Sequence, residues 1–301
     1  MISPLFLYKA KKSPAVLAAG LFFMLLLTVS GCSKRDGTGD FPAGSPDQHV
    51  QIPLYEIYPQ EEIFAEEYTA EEDAEPRFLM PSVAIIIDDI GYDPAMADRF
   101  LDLGGVLTFS LFPHSPYRET IIQKIQAKGM EIMLHLPMEP AEYPAVLPGP
   151  GALLISMSPL QFTAQLEKNL DSIKGIKGVN NHMGSRLTTV PSLMYRIFSE
   201  LKKRDLFFID SFTSQHTVCP STARMLQIPF AQRDVFLDHV QEAEVIRGQI
   251  RLLIRIAETC GEAVGIGHPH KVTWEVLAEE MPELQKKVQL VPASRIVHTV
   301  G

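Results

Sequence analysis

Positive charge, cysteine and long apolar runs are all scarce in this chain, and each scarcity excludes something. Lysine and arginine number 27 against 36 acidic residues, a formal net charge of −9. A chain whose main partner is nucleic acid carries the opposite balance. No glycine-rich dinucleotide or phosphate loop follows the first apolar strand, which counts against a nucleotide cofactor. Cysteine occurs at only three positions, 32, 219 and 260. Cys219 and Cys260 either pair, as an exported chain permits, or stand apart as half-buried thiols. The apolar run from Ala15 to Val29 is short of the roughly 20 residues that span a bilayer.

That run reads instead as an export signal. Lys9, Lys11 and Lys12 precede it, and Val29-Ser30-Gly31-Cys32 closes it with small residues. Cys32 after Ser30-Gly31 resembles a bacterial lipobox, so residues 1–31 are expected to be a lipoprotein signal peptide with Cys32 lipidated. An uncleaved anchor helix is the rival. The expected address is the bacterial cell envelope: exported, held to the membrane by the N-terminal lipid, and facing the periplasm in a host with two membranes. Residues 32–80 read as a disordered acidic tether. Gly, Pro and Ser come first, then Glu61-Glu62 and Glu66-Glu67 and the run Glu71-Glu72-Asp73, whose like charges repel and leave little for a core. Tyr55, Tyr58, Phe64 and Tyr68 leave room for a partner-docking motif within it.

Residues 81–301 form the folded part. Ala84-Ile85-Ile86-Ile87 is a run of apolar residues suited to a strand buried on both faces, yet it ends in Asp88-Asp89-Ile90-Gly91. Successive strand residues point to opposite sides, so the two carboxylates are expected to differ in geometry, one binding a cation and the other acting as a base. The plain alternative is a polar strand end, with Asp93 capping the helix that Pro94 begins. Strands and helical patterns then alternate to the end, which predicts parallel strands with crossover helices. Polar groups fall again and again directly after a strand: His114, His135 with Glu139, His182, Asp210, and His268 with His270. Strand ends converge in a β/α barrel, whereas an open sheet gathers such groups only at a switch point.

His135 and Glu139 are four residues apart on a proline-stiffened loop reading, and with Asp89 they make a three-ligand set that leaves a fourth position for water. His182, beside Asn180, Asn181 and Ser185 in what reads as an amide-rich turn, is either a ligand in place of Glu139 or a substrate contact. His268 sits on a rigid Gly267-His268-Pro269-His270 corner and suits a general acid.

These motifs together (Ile86 to Gly91, His135-Leu136-Pro137-Met138-Glu139-Pro140, Asn180 to Ser185, and Gly267-His268-Pro269) resemble the divergent polysaccharide deacetylase family over roughly residues 82–297. The resemblance implies an α/β fold, a distorted (β/α)7-type barrel, and a divalent metal, usually Zn2+. It implies Asp88 as base, Asp89 and His135 as metal ligands, Glu139 in the place of a second metal histidine, and His268 as general acid. Arg186 is the arginine nearest to the motif set. Asn181, Ser185, Asp210 and His270 are expected to contact the sugar. The expected activity is removal of acetyl groups from a polysaccharide or peptidoglycan-type glycan. A non-catalytic glycan-binding or cell-wall regulatory module on the same scaffold, and a metal hydrolase of another ester or amide, remain the alternatives.

Overall fold

A computed structural model describes residues 80–299 of the chain. The expected signal segment, Cys32 and the expected tether, apart from its last residue Met80, lie outside the described residues.

In chain order the elements are β1 (Ser82–Ile90), α1 (Pro94–Leu101), β2 (Thr108–Leu111), α2 (Arg118–Ala127), β3 (Glu131–Met138), α3 (Pro159–Asp171), β4 (Gly178–Met183), α4 (Pro191–Lys203) and β5 (Phe207–Asp210). Then come α5 (Cys219–Leu226), β6 (Pro229–Gln232), β7 (Val235–Phe236), α6 (Ala243–Cys260), β8 (Glu262–Gly267), α7 (Lys271–Lys287), β9 (Gln289–Leu290) and β10 (His298–Thr299). The strands lie in the order β10-β6-β5-β4-β3-β2-β1-β8-β7, with β9 beside β1. Every pairing is parallel except that of β10 with β6. The fold is the expected distorted β/α barrel, with helices outside a curled sheet. Among the described residues no ladder joins β6 to β7. The chain itself crosses that seam: Arg233 N bonds Asp210 O at 2.9 Å, and the next amide, Asp234 N, bonds Val264 O at 2.9 Å.

Alternation along the strands sorts the interior into two cores. In β1, Val83, Ile85 and Ile87 join Phe100, Ile121, Phe162, Phe198 and Leu253 between sheet and helices. Ala84 and Ile86 face the lumen, with Met133, Ile209, Val264 and Ile266 from the neighbouring strands. Val291, Ala293 and Ile296 from the C-terminal segment belong to this inner core. Each Val, Leu, Ile, Phe or Met side chain among these, taken fully from water, contributes about 1.5–3 kcal/mol. The lumen is therefore apolar along β1 and β8, and its buried polar groups gather on β2, β3 and β4 and at the strand ends.

Helix starts follow their local chemistry. Asp93 accepts from the amides of Ala95 and Met96, each at 2.9 Å, and Ser158 with Gln161 forms a capping box ahead of α3. Elsewhere the elements outrun the sequence reading. The predicted strand Met130 to Leu134 extends through Met138, and the predicted Ile176 to Val179 becomes Gly178–Met183, so His135, Asn180 and His182 are strand residues rather than loop or turn residues. Pro137 is tolerated because β2 stops pairing at Leu134, and Leu153 uses only Pro137 O and Glu139 N on that edge. The helix expected over 274–280 runs over Lys271–Lys287 despite Pro282, because Met281 and Leu284 are buried in the core. The short α5 and β7 carry too few periodic apolar residues to be read from sequence. Cys219 and Cys260 are separate thiols, one buried and one exposed.

Candidate metal centre and its surroundings

Two residues beyond the paired Ile86 and Ile266, on adjacent strands, the lumen-facing positions become Asp88 and His268. On β3 the position after Met133 is His135, and the residues beside it and beside Pro137 on β4 are Asn180 and His182. Alternation alone would send Asp89 to the opposite face. Instead the β1–β2 register shifts between Ile87 and Ile90, and Asp89 takes a left-handed backbone with φ of 55°. That bulge swings both carboxylates of the Asp-Asp pair toward one site, the kind of strained strand end that functional sites carry.

Asp89 Oδ1 stands 3.1 Å from His135 Nε2 and 3.2 Å from His182 Nδ1, and these two nitrogens are 3.1 Å apart. Adjacent donors of a tetrahedral site with bonds of about 2.0–2.1 Å are separated by roughly 3.3–3.4 Å. The triangle is thus close to the size a small divalent cation requires. Asp89 Oδ1 is buried and takes no hydrogen bond of good geometry, although two ring nitrogens crowd it. Donors that converge on one point without bonding each other well are what a ligand set looks like. Both histidines have no exposed side-chain surface while Asp89 retains 16%, so the centre opens to solvent past Asp89. Burial alone would raise the Asp89 carboxyl; the charge at His182 and the closeness of the His135 and His182 ring nitrogens outweigh it and hold the group well below the ordinary carboxylate range.

Phe112 packs edge-on against both imidazoles, with ring centroids 5.1 Å from His135 and 4.8 Å from His182. Tyr92 lies across Phe112 at 5.6 Å. Its phenol is pushed up by burial first and then by the charge of Asp89.

A second cluster comes from the far side of the seam. Asp238, just past β7, holds His268 twice: Oδ2 accepts the His268 amide at 2.6 Å, and Oδ1 lies 2.8 Å from Nδ1. Thr273 Oγ1 also donates to Oδ2, at 2.7 Å. Asp238, His268 and His270 have donor atoms within 4.8 Å of one another. Both Asp238 oxygens are already occupied, so this is an acid–imidazole pair rather than a second cation cradle. His270 lies near Gln241, at 3.0 Å between side-chain nitrogens. Burial, chiefly, keeps its imidazole below the ordinary 6.5, against the pull of Asp238 and Asp89.

The sequence profile of the divergent polysaccharide deacetylases matches residues 85–297, the stretch that contains every group just described. The chain belongs to this family. An uncharacterized protein of Haemophilus influenzae is 31% identical over 214 residues, covering 71% of this chain and 76% of its own length. YibQ of Escherichia coli, also uncharacterized, is 30% identical, covering 73% and 68%. Among solved structures, an uncharacterized protein from Agrobacterium tumefaciens superposes with a TM-score of 0.70 at 24% identity, covering 74% of this chain and 92% of that one. The catalytic domain of a peptidoglycan N-acetylglucosamine deacetylase from Eubacterium rectale shares the fold, with a TM-score of 0.51 at 13% identity, covering 78% and 99%.

Within this member of the divergent polysaccharide deacetylase family, several residues sit elsewhere than the sequence suggested. Glu139 is not part of the triangle. Its Oε1 accepts from Arg186 at 2.9 Å and its Oε2 from the Ile155 amide at 2.7 Å, so it fastens the 140–157 loop while His182 is the third member of the triangle. Arg186 is accordingly tied to Glu139. Asp210 shares its strand parity with Phe208, which faces the helices, and its oxygens accept from Phe212 N at 2.9 Å and Thr217 Oγ1 at 2.8 Å. Asn181 likewise faces away from the lumen and ties Met183 O to Ser211 N. Ser185 accepts from the Ala141 amide at 2.9 Å. All three bond within the protein, Asp210 and Asn181 being fully buried and Ser185 half-buried. His114 pairs with Asn169 at 3.1 Å, away from the triangle.

Three groups escaped the sequence reading: Asn180, taken as turn chemistry; Asp238, hidden behind a two-residue strand; and Arg233. The last is a buried guanidinium 3.7 Å over the Phe236 ring, whose Nε donates to Ser211 O at 2.9 Å. Asp238 did carry a signal, since Val235-Phe236-Leu237-Asp238 repeats the apolar-run-then-acid pattern of β1.

Proposed function

We propose that the protein is a metal-dependent hydrolase that removes acetyl groups from a cell-envelope polysaccharide, a peptidoglycan-type glycan. One observation carries the proposal: three converging donors, Asp89, His135 and His182, sit at the same barrel end as a further carboxylate, Asp88, and an imidazole, His268, backed by Asp238. Membership of the divergent deacetylases supports it, as does the fold shared with the Eubacterium rectale deacetylase domain.

Asp89, His135 and His182 would hold the ion, and one carboxylate with two imidazoles suits Zn2+. Zn2+ there supplies Lewis acidity toward an acetyl carbonyl and toward water. Asp88 takes up the proton of the attacking water, with its carboxylate held by the Asn180 amide at 2.8 and 2.9 Å. His268 delivers a proton to the departing amine or hydroxyl, and Asp238 keeps that ring oriented. Phe112 closes one side of the centre to water, and Tyr92 and His270 border the open side, where the sugar is bound. Lipidation at Cys32 would hold this domain at the envelope on the 32–80 segment.

The test is metal analysis of the full-length protein together with acetate release from N-acetylated glycan. About one Zn2+ per chain and released acetate are expected, and Asp89→Asn should lose both. Full acetate release by that variant refutes the mechanism. A second reading rests on Asp88, which is completely buried with both oxygens accepting from Asn180 and one of them 3.7 Å from His135 Nδ1. Held so, it acts as a partner of the ligand histidine, and the site binds ion and glycan without turnover. Glycan binding with no acetate release, unchanged in Asp88→Asn, selects that reading.

A further inference from the structure

The barrel end opposite the metal centre, where the parallel strands begin and the helices finish, collects basic residues in a chain whose formal net charge is −9. Lys174 and Lys177 lie in the connection into β4, Arg224 is in the last turn of α5, Lys287 ends α7, and Arg295 follows β9. All five are exposed, and none forms an ion pair among the described residues. Most nearby carboxylates are engaged. Asp102 pairs with Lys128 at 2.8 Å and Asp171 with Arg204 at 2.6 Å, while Glu131 accepts from Thr108 Oγ1 and from the Ser294 amide. Asp205 and Glu258 are exposed without such partners, fewer than the unpaired cations. Basic side chains at helix C-termini complement the helix dipole, which accounts for Arg224 and Lys287. Lys174, Lys177 and Arg295 belong to connections, where no dipole asks for them.

These charges surround apolar surface. Val106, Met130 and Pro292 line a groove with Lys128 and Lys177, and Val106 and Met130 continue into a second groove with Met80. The turn that carries Arg295 is fixed beside them, Ala293 N bonding Thr108 Oγ1 and Ser294 N bonding Glu131 Oε1, each at 3.0 Å. Met80 and Val106 keep 45% and 42% of their surface exposed. We propose that this face docks on an anionic lipid bilayer, with Met80 and Val106 entering the headgroup layer and Lys174, Lys177 and Arg295 lying on lipid phosphates. Basic and apolar side chains side by side are what such a surface retains. The chain also arrives on this face at Met80, after the Ala15–Val29 run expected to bring it to the membrane. At the other end, the exposed Asp93, Glu142 and Glu242 are repelled by the same lipids. Docking thus points the metal centre away from the bilayer, and it requires no turnover there.

The experiment uses the full-length Cys32→Ser chain, in which Cys260 is exposed and Cys219 buried. Cys260 ends α6 on the docking face, next to Gly261, whose carbonyl accepts the Ser82 amide at 2.9 Å. A polarity-sensitive dye on Cys260 is titrated with phosphatidylcholine vesicles, with or without about one third phosphatidylglycerol. The Ala15–Val29 run meets both vesicles alike, so a difference between them reports the docking face. The dye should report an apolar setting only with phosphatidylglycerol, and the response should vanish at about 0.5 M salt. Each cation at an anionic surface strengthens binding about fivefold, so Lys177→Gln with Arg295→Gln should weaken the response roughly 10- to 30-fold. Lys271→Gln, at the opposite end, should leave it unchanged. No response, an equal response to both vesicles, or one that the double substitution leaves intact overturns the proposal. So does a dye already covered before vesicles are added and uncovered by the double substitution, which would place the acidic 61–73 segment of the same chain on this face instead.

Discussion

Glu139 stands four residues after His135, the place expected for a further metal ligand, and its carboxylate is engaged by Arg186 and the Ile155 amide instead. Glu139→Gln should therefore leave Zn2+ binding intact while weakening two part-buried contacts. A loss of about 1–3 kcal/mol in urea unfolding is expected; a Zn2+ affinity that collapses with it would return Glu139 to the ligand set. Asp210 offers a pH test. Its carboxyl is raised from the ordinary 3.8 by burial, only partly offset by hydrogen bonds from Phe212, Thr217 and Cys219. The folded protein thus holds this proton more tightly than the unfolded chain. The associated stability is present below 3.8 and is lost as pH rises through the raised folded value. Relative to Asp210→Asn, the wild type should lose stability over that rise, measured as thermal midpoints at several pH values. Parallel profiles would show that the buried carboxyl is not titrating in that range. The residue types of the site were legible in the sequence, since Asp88, Asp89, His135, His182 and His268 were all picked out. Asp210 and Asn181, expected to face the sugar, are buried away from the lumen for one cause: each lies in its strand at the parity that faces the helices, and parity is not revealed until the strand's register is known.

Strands, rather than loops, carry the centre, and β4 shows why that was hard to read. Gly178-Val179-Asn180-Asn181-His182-Met183 has almost no apolar alternation, yet all six residues are buried. Its polar side chains satisfy one another: Asn180 reaches Asp88, Ser110 and His135, and Asn181 reaches Met183 and Ser211. Hydrophobic pattern finds strands that face a core, and it fails where the facing surface is a polar site. At the start of β4, Gly178 faces the lumen, where a Cβ would overlap the Phe207 ring. Gly178→Val should displace that ring and cost about 1–3 kcal/mol by overpacking. Chemical denaturation checks it, and an unchanged midpoint would mean that the lumen has slack at this level.

The whole molecule gathers its chemistry by closing a sheet whose strands are far apart in sequence. β1, β3, β4 and β8 deliver Asp88, Asp89, His135, Asn180, His182 and His268 to one rim, and the chain bridges the open seam at Arg233 and Asp234. At this scale the address of the protein is also testable: Cys32→Ser should move it from the membrane fraction to the soluble fraction of the cell, and an unchanged membrane fraction would favour an uncleaved anchor. The amino-acid order by itself determined the alternation of strands and helices and the placing of acids and imidazoles at strand ends, because these follow from local periodicity and composition. Only the tertiary structure decided that His182 rather than Glu139 completes the triangle, that both aspartates turn to the same side, and that Asn180 links them to His135. Those outcomes depend on a bulge, on inter-strand register and on which lumen positions lie level with one another, and such relations exist only once the barrel has formed.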